Sequence, residues 1–459
     1  MDLRSIDGAA DPAEPAEVRV RRGVVLAAGR STRLAGMTGG GSKALLRVGG
    51  VSLVERAVRR LLALGLEEVV VVVGYHAGPV ATLVNAIDPA RVRAVLADGW
   101  EQGNGASLAA AEAEMAGEPL FLLVTADHVF GEGSLEALLA ARRPAVLVDT
   151  APAADVLAEG TRVRLDAGRA VGFSKELEGP AVDCGAFLLS PAVFAAQRAA
   201  AAAGDPTLAG AVSELANGRR LAAVELPPRT WWRDVDTPED VRFAGRALRR
   251  SLHSPADGPV SRWLNRPIST RLSMGVAPLR IHPDVVSFLA AAVGVAAAVL
   301  LWRGSGVAGA ICTQLMSLLD GMDGEAARLQ QRARPEGALL DGVLDRLTDA
   351  AVIAGLGAWA ASSGAASPTV SVGLTAAAAT LATLSMATKD RITALRLPPA
   401  PESRLALLLG GRDARLVFVA VAALVGRPAW GLIAIVATSG VTLVARLALV
   451  RSAAVRARR

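Results

Sequence analysis

The stretch Gly23-Val24-Val25-Leu26-Ala27-Ala28-Gly29-Arg30-Ser31-Thr32-Arg33-Leu34, followed shortly by Ser42-Lys43-Ala44-Leu45, decides the fold of the first half of the chain. An apolar, β-branched run that gives way to small residues and then to basic ones reads as a buried strand ending in a phosphate-binding turn. Small side chains at Ala27, Ala28 and Gly29 let backbone N–H groups approach a triphosphate. Arg33 and Lys43 supply the charge that phosphoryl oxygens and a pyrophosphate leaving group require. Of 49 Lys+Arg residues only Lys43, Lys175 and Lys389 are lysine. In a chain so biased to arginine, a lysine marks a place that needs a compact ammonium and not a fork.

Outward from this turn the pattern repeats. Glu68–Val73 and Leu120–Val124 are further apolar runs, with helical stretches such as Val54–Leu64 between them. Strands alternating with helices from Arg21 to about Leu252 predict an α/β doubly wound, Rossmann-like domain over 21–252, mostly parallel, with ligands beyond the carboxyl ends of its strands. Residues 1–20 precede it as a leader, rich in Asp, Glu, Pro and Ala and without the pattern of a secretory signal, and are expected to be disordered. Three further segments fit a nucleotide site. Gly103, Asn104 and Ser107 sit before a predicted helix, where backbone and amide groups either read a pyrimidine edge or simply cap that helix. Asp127 ends the Leu120–Val124 strand, where a carboxylate is well placed to hold Mg²⁺ against phosphates. Asp234 and Asp236 offer a second carboxylate, although Thr237 and Pro238 equally suit the cap and first turn of the next helix. His128 is expected to pack or hydrogen-bond locally.

The second half has another chemistry. The chain has 459 residues, 52% of them hydrophobic, and a mean hydropathy of +0.40, too apolar for a wholly soluble protein. Residues 258–459 carry 21 Lys+Arg against 11 Asp+Glu, and residues 1–257 carry 28 against 32. The positive excess therefore lies in the apolar half, which argues for arginines flanking membrane helices and excludes nucleic acid as a partner. Two cysteines, Cys184 and Cys312, exclude a disulfide scaffold and point to a reducing compartment. An Arg-bearing amphipathic stretch, part of a linker over 253–283, leads into an all-α domain at 284–450 with six predicted transmembrane helices. A basic tail, 451–459, follows. Cytoplasmic placement of the first domain puts 19 of the 21 basic residues on the cytoplasmic side, only Arg303 and Arg427 lying opposite. The expectation is a multi-pass cell-membrane protein with the N-terminal domain and C-terminus in the cytoplasm.

At the end of the second predicted span stands Asp320-Gly321-Met322-Asp323-Gly324-Glu325-Ala326-Ala327-Arg328, then Gly337, Asp341 and Asp345. Asp320 and Asp323, three apart, share a helix face, as do Asp341 and Asp345, four apart. Two such helices present four carboxylates to one cavity. Arg328 and Arg346 are too few to neutralise them, so divalent metal is the expected counter-charge. Gly324 and Gly337 are expected to admit a nucleotide close to the helix backbones. Lys389, Arg391, Arg412 and Arg415 form a basic cluster that either binds an acceptor's phosphate or anchors the domain.

Residues 22–250 resemble the sugar-nucleotidyltransferase family through the Leu-Ala-Ala-Gly-x-x-x-Arg-Leu stretch, Lys43, Asp127, Lys175 and the Trp232-x-Asp234-x-Asp236-Thr-Pro ending. Serines at 31 and 42 stand where that family usually has glycine and proline. The resemblance implies Lys43 on the reacting phosphates, Lys175 on the acceptor's phosphate, and Mg²⁺ on Asp127 with Asp234 or Asp236. Asp320, Asp323, Gly324, Ala327, Arg328, Gly337, Asp341 and Asp345 are similarly the signature of the CDP-alcohol phosphatidyltransferases. That resemblance implies Mg²⁺, or alternatively Mn²⁺, on the first three aspartates, with Asp345 sharing the metal or acting as general base. Among fusions of the two families, the chain is similar to those that join CTP and inositol-1-phosphate into CDP-inositol and then pass phosphoinositol to a second inositol-1-phosphate. Two alternatives stay open: another phosphoalcohol with a lipid acceptor, or a catalytic first half on a non-catalytic anchor or transporter. Helices rich in Ala and Gly suggest a homodimer through the membrane domain, in contact with the lipid bilayer.

Overall fold

The computed structural model describes residues 19–30, 33–218, 220–253, 257–364, 366–398 and 400–457. The expected leader up to residue 18, the loop residues Ser31 and Thr32, and the end of the basic tail lie outside the described residues. The chain divides into two compact units, Met1–Val48 with Ser52–Gly245, and Gly49–Val51 with Arg246–Arg459.

The first unit is built on a nine-stranded sheet. Its strands are β1 (Arg22–Ala27), β2 (Glu68–Val73), β3 (Val92–Leu96), β4 (Phe121–Thr125), β6 (Ala145–Asp149), β7 (Arg162–Asp166), β8 (Arg169–Ser174), β9 (Val182–Leu189) and β10 (Ala222–Glu225), in the order β3-β2-β1-β4-β9-β6-β10-β8-β7. A two-stranded ribbon pairs β5 (His128–Phe130) with β11 (Trp232–Asp234). Strands β1, β2 and β4 are continuous apolar runs because both faces are covered. Val25, Val71 and Val124 enter one core, and Val24, Val70 and Leu123 the other. The doubly wound, mostly parallel expectation holds for β3-β2-β1-β4 and again for β6-β10, and it fails where β9 and β8 pair antiparallel with their neighbours. Ala167 and Gly168, at φ of 46° and 74°, turn β7 into β8 as a tight hairpin. After that hairpin β9 inserts antiparallel between β4 and β6, so the sheet is mixed.

The second unit is helical. A short helix, α3 (Arg266–Val276), precedes six longer ones: α4 (Pro283–Trp302), α5 (Gly306–Leu329), α6 (Pro335–Ser362), α7 (Pro368–Ala394), α8 (Arg412–Leu424) and α9 (Pro428–Ala457); α1 (Leu53–Ala63) and α2 (Asn104–Ala110) belong to the first unit. Proline opens α4, α6, α7 and α9, where its missing N–H leaves no bond unmade. Small residues let these helices approach closely: a Cβ on Gly355 would lie 2.3 Å from the Ala298 carbonyl oxygen. Among the described residues, α4, α7 and α9 are long and apolar enough to cross a membrane. Helices α5 and α6 carry the aspartates within their length, and α8 has 13 residues, about 20 Å at 1.5 Å per residue. By composition and length alone, three of the six predicted spans qualify.

Candidate functional site

In the first unit the carboxyl ends of β1 and β4 place the site. The segment after β1 and the turn Lys43–Leu45 bring Lys43 inward, with Ser42 capping that turn by accepting from the Ala44 amide at 3.3 Å. The serine that departs from the family's proline thus has a structural task of its own. Pairing of Asp234 with His128 across the β5–β11 ribbon carries Asp234 and Asp236 to Asp127, over a hundred residues earlier. Buried Lys43 donates from Nζ to Asp236 at 2.5 Å, Asp127 at 2.9 Å and Asp234 at 3.4 Å. Both metal assignments left open by the sequence therefore lie at one point. Thr237 also caps the next helix, accepting from the Asp240 amide at 3.3 Å.

His128 Nδ1 lies 2.9 Å from Asp127 Oδ1 and 2.6 Å from Thr125 Oγ1, and its ring stacks on Trp232. Burial opposes its charge, but Asp234, Asp127 and Asp183 raise its pKa to about 9. Burial also works against the Lys43 ammonium, and the three carboxylates overcome it, so its pKa stands above the ordinary value. Asp127 is likewise opposed by burial yet held well below the carboxylate range by Lys43 and His128. Burial pushes Asp234 up to about 6 against the pull of His128 and Lys43. Donor atoms of Asp127, His128 and Asp234 lie within 4.8 Å of one another, and a side-chain ammonium already sits among the carboxylates. The residues thus fit a divalent cation.

Two cavities meet at Asp127 and Asp236. The smaller, about 280 Å³, is lined by Ala27, Gly29, Arg33 and Lys43; the larger, about 580 Å³, by Arg33, Asn104, Lys175 and Trp232. Ala28 is buried behind the turn, and neither Gly103 nor Ser107 lines either cavity. The Asn104 carboxamide oxygen accepts from the Leu208 amide at 2.8 Å, so it ties its own helix to the start of the helix Leu208–Asn217. Arg33 is exposed and paired with Glu159 at 2.5 Å, with Asp236 at 3.6 Å. Asp183, lining the larger cavity, escaped sequence reasoning. It precedes Gly185, whose φ of 68° and close approach to His128, 2.6 Å from a notional Cβ, make a glycine obligatory there.

In the second unit, α5 and α6 face each other as the aspartate spacing predicts. Carboxylate oxygens of Asp320, Asp341 and Asp345 lie within 4.8 Å of one another, a donor set that fits a hard divalent ion. Asp323 is buried and accepts from Ser287 Oγ at 2.5 Å and from the Gly324 amide. Arg346 pairs with Asp390, away from the cluster, and Arg412 enters it, pairing with Asp320 and, at 3.0 Å each, with Asp345 and Asp349. Arg415 is buried and 3.4 Å from Asp349. Arg412 and Arg415 are thus bound to carboxylates, not displayed as a free basic cluster. Lys389 lines a cavity of about 380 Å³ with them, whereas Arg391 is exposed outside it. A notional Cβ on Gly337 meets only Asp284, at 3.9 Å, and one on Gly324 meets Arg328, at 3.3 Å; Ala327 is half-buried on the same helix.

Sequence reasoning missed Asp349, although it continues the Asp341, Asp345 spacing by one more turn. It also missed Glu325. That carboxylate is fully buried and accepts from Arg266 at 2.7 Å, Ser269 at 2.6 Å and Ser273 at 2.7 Å. The polar stripe of α3 therefore packs inward on α5, and Trp263, Ile268 and Leu272 are exposed.

Residues 23–218 match the MobA-like NTP transferase domain, and residues 280–411 match the CDP-alcohol phosphatidyltransferases. A nucleotidyltransferase and a CDP-alcohol phosphotransferase are thus joined in one chain. A protein of Rubrobacter xylanophilus named bifunctional IPC transferase and DIPP synthase is 36% identical over 89% of this chain and 92% of its own length. Its namesake from Aquifex aeolicus is 33% identical over 73% and 77%. The chain belongs to the family of bifunctional IPC transferase and DIPP synthases. A phosphatidylinositol phosphate synthase of Mycobacterium tuberculosis is 37% identical over 95 residues, 20% of this chain and 44% of that protein.

Proposed function

We propose that the first unit joins CTP and inositol-1-phosphate into CDP-inositol and pyrophosphate, and that the second transfers phosphoinositol from CDP-inositol to another inositol-1-phosphate, releasing CMP. The observation that carries this reading is the likeness over nearly the whole length of a relative named for both activities. In the first step a phosphate oxygen of inositol-1-phosphate forms a bond to the α-phosphorus of CTP, and the bond to pyrophosphate breaks. Lys43 and Arg33 neutralise the departing charge, the Ala27–Gly29 turn receives the triphosphate, and Lys175 in the larger cavity holds the acceptor's phosphate. In the second step a hydroxyl of the acceptor attacks the phosphorus bearing inositol, and CMP leaves. Asp345 takes the hydroxyl proton. Mg²⁺ held by Asp127 with Asp234 or Asp236, and by Asp320, Asp323 and Asp341, with Asp345 sharing it, would supply Lewis acidity and neutralise the diphosphates; Mn²⁺ is an alternative in the second unit.

The helical unit is read as membrane-embedded, with six spans, both ends of the chain in the cytoplasm and a homodimer formed through its small-residue helices. The exposed Trp263, Ile268 and Leu272 of the α3 segment suit the bilayer surface. A lipid acceptor is the second reading, favoured by the partial likeness to a phosphatidylinositol phosphate synthase. Purified protein incubated with CTP, Mg²⁺ and inositol-1-phosphate, with and without added lipid, separates the two by the masses of the products. A phosphorylated inositol dimer formed without lipid is expected; absence of CDP-inositol overturns the first reading.

A further inference from the structure

Asp349 stands one helical turn beyond Asp345 on α6, outside the signature of the family, and is 6% exposed. Both of its oxygens are used: Oδ1 accepts from Arg412 Nε at 3.0 Å and Oδ2 from Arg415 Nη2 at 3.4 Å. The remaining nitrogens of the same guanidinium are also committed, Nη1 to Asp320 and Nη2 to Asp345 at 3.0 Å. One arginine of α8 thereby joins three carboxylates of α5 and α6. Two of the three belong to the set whose oxygens lie close enough to share a cation. An arginine in such company does not shed its proton, so it can yield those two carboxylates only by moving.

We propose that Asp349 is a positioning residue that sets the contest between Arg412 and a divalent cation for Asp320 and Asp345. Held through Nε, the guanidinium divides its charge among three partners and is retained when the other two are withdrawn. Without the Asp349 charge, Arg412 leans wholly on Asp320 and Asp345, and the cation meets a stronger competitor; without Arg412 it meets none. The two substitutions thus act in opposite directions, which a merely structural role for either residue does not produce. The inference rests on the reading that these aspartates bind divalent metal.

Mn²⁺ binding to the full-length protein in detergent, followed through the spin-resonance signal of the free ion, tests it. Asp320→Asn identifies the binding class that belongs to the helical unit. In that class Asp349→Asn, which keeps the side-chain shape, is expected to weaken Mn²⁺ binding about tenfold and Arg412→Gln to strengthen it by a similar factor. In the double variant the Asp349 substitution should add nothing. The half-saturating Mg²⁺ concentration for CMP release should shift with the same signs, while that for CDP-inositol formation stays constant. Unchanged Mn²⁺ affinity in Asp349→Asn, or shifts of the same sign in both variants, overturns the proposal. A wild-type chain with no class removed by Asp320→Asn overturns the metal reading and the proposal with it.

Discussion

The two acidic clusters solve one problem with different materials. In the first unit three aspartates come from two distant segments, joined by the register of a two-stranded ribbon, and a lysine sits among them. In the second they come from two neighbouring helices at spacings of three and four, and an arginine links them from a third. A compact ammonium placed on a turn can be directed at a phosphate. A guanidinium with three nitrogens on three carboxylates balances their charge from a third helix. The first arrangement suits a group that meets substrate, and the second a group that sets spacing and charge. If so, removing either centre should abolish one half-reaction and spare the other.

The largest effect is expected at Asp345. Asp345→Asn keeps the shape and removes the base, so CMP release from supplied CDP-inositol should fall by about 10²–10⁴-fold, with CDP-inositol formation unchanged. Equal loss of both activities would break the separation of the two centres, and retention of CMP release would remove Asp345 from the chemistry. The mirror experiment is Lys43→Met. CDP-inositol formation should drop by about 10²–10³-fold, the size expected when one preorganised charge on a transferring phosphoryl group is lost, and CMP release from supplied CDP-inositol should persist. Radiolabelled CTP and CDP-inositol, assayed separately, read the two steps on one preparation.

The same contrast explains what the sequence disclosed. Asp320, Asp323, Asp341 and Asp345 were legible because a helix converts spacing into a shared face without reference to the rest of the chain. The Gly29 turn and Lys43 were legible because a strand followed by small residues has one common purpose. Asp234 and Asp236 were not separable, since their meeting with Asp127 depends on the β5–β11 register, which no local pattern encodes. The antiparallel course of β9 was not legible, because an apolar run looks the same in either direction. The arginine that enters the helical cluster was hidden for a similar reason. Arg346 is nearest in sequence, but it pairs with Asp390, whereas Arg412 arrives from α8 through tertiary packing.

A smaller and more local effect should follow at Gly185. An added Cβ would lie 2.6 Å from the His128 ring, on a backbone with φ of 68°. Gly185→Ala should therefore cost the first unit about 1–3 kcal/mol and displace His128 from Asp127. Thermal unfolding of the first unit should move to lower temperature, with CDP-inositol formation impaired and CMP release kept. An unaltered melting profile would mean that the β9 backbone around Gly185 can relax, and that His128 is held by Thr125 and Trp232 alone.

The smallest effect lies where the helical centre is braced by α3. Glu325 is buried, and its carboxylate takes hydrogen bonds from Arg266, Ser269 and Ser273. Ser273→Ala leaves the ion pairs of the clustered aspartates untouched and removes one of these donors from a buried charge, an expected loss of about 1–2 kcal/mol. Arg266 and Ser269 remain on the other oxygen, so Glu325 stays in place and α5 keeps its orientation. CMP release should then fall less than stability does, because Glu325 stands two residues from Asp323 and the bond to Ser287 holds that aspartate independently. If Ser273→Ala instead abolishes CMP release while thermal stability is preserved, α3 positions the aspartates directly. The second centre would then depend on its surroundings as closely as the first depends on its ribbon.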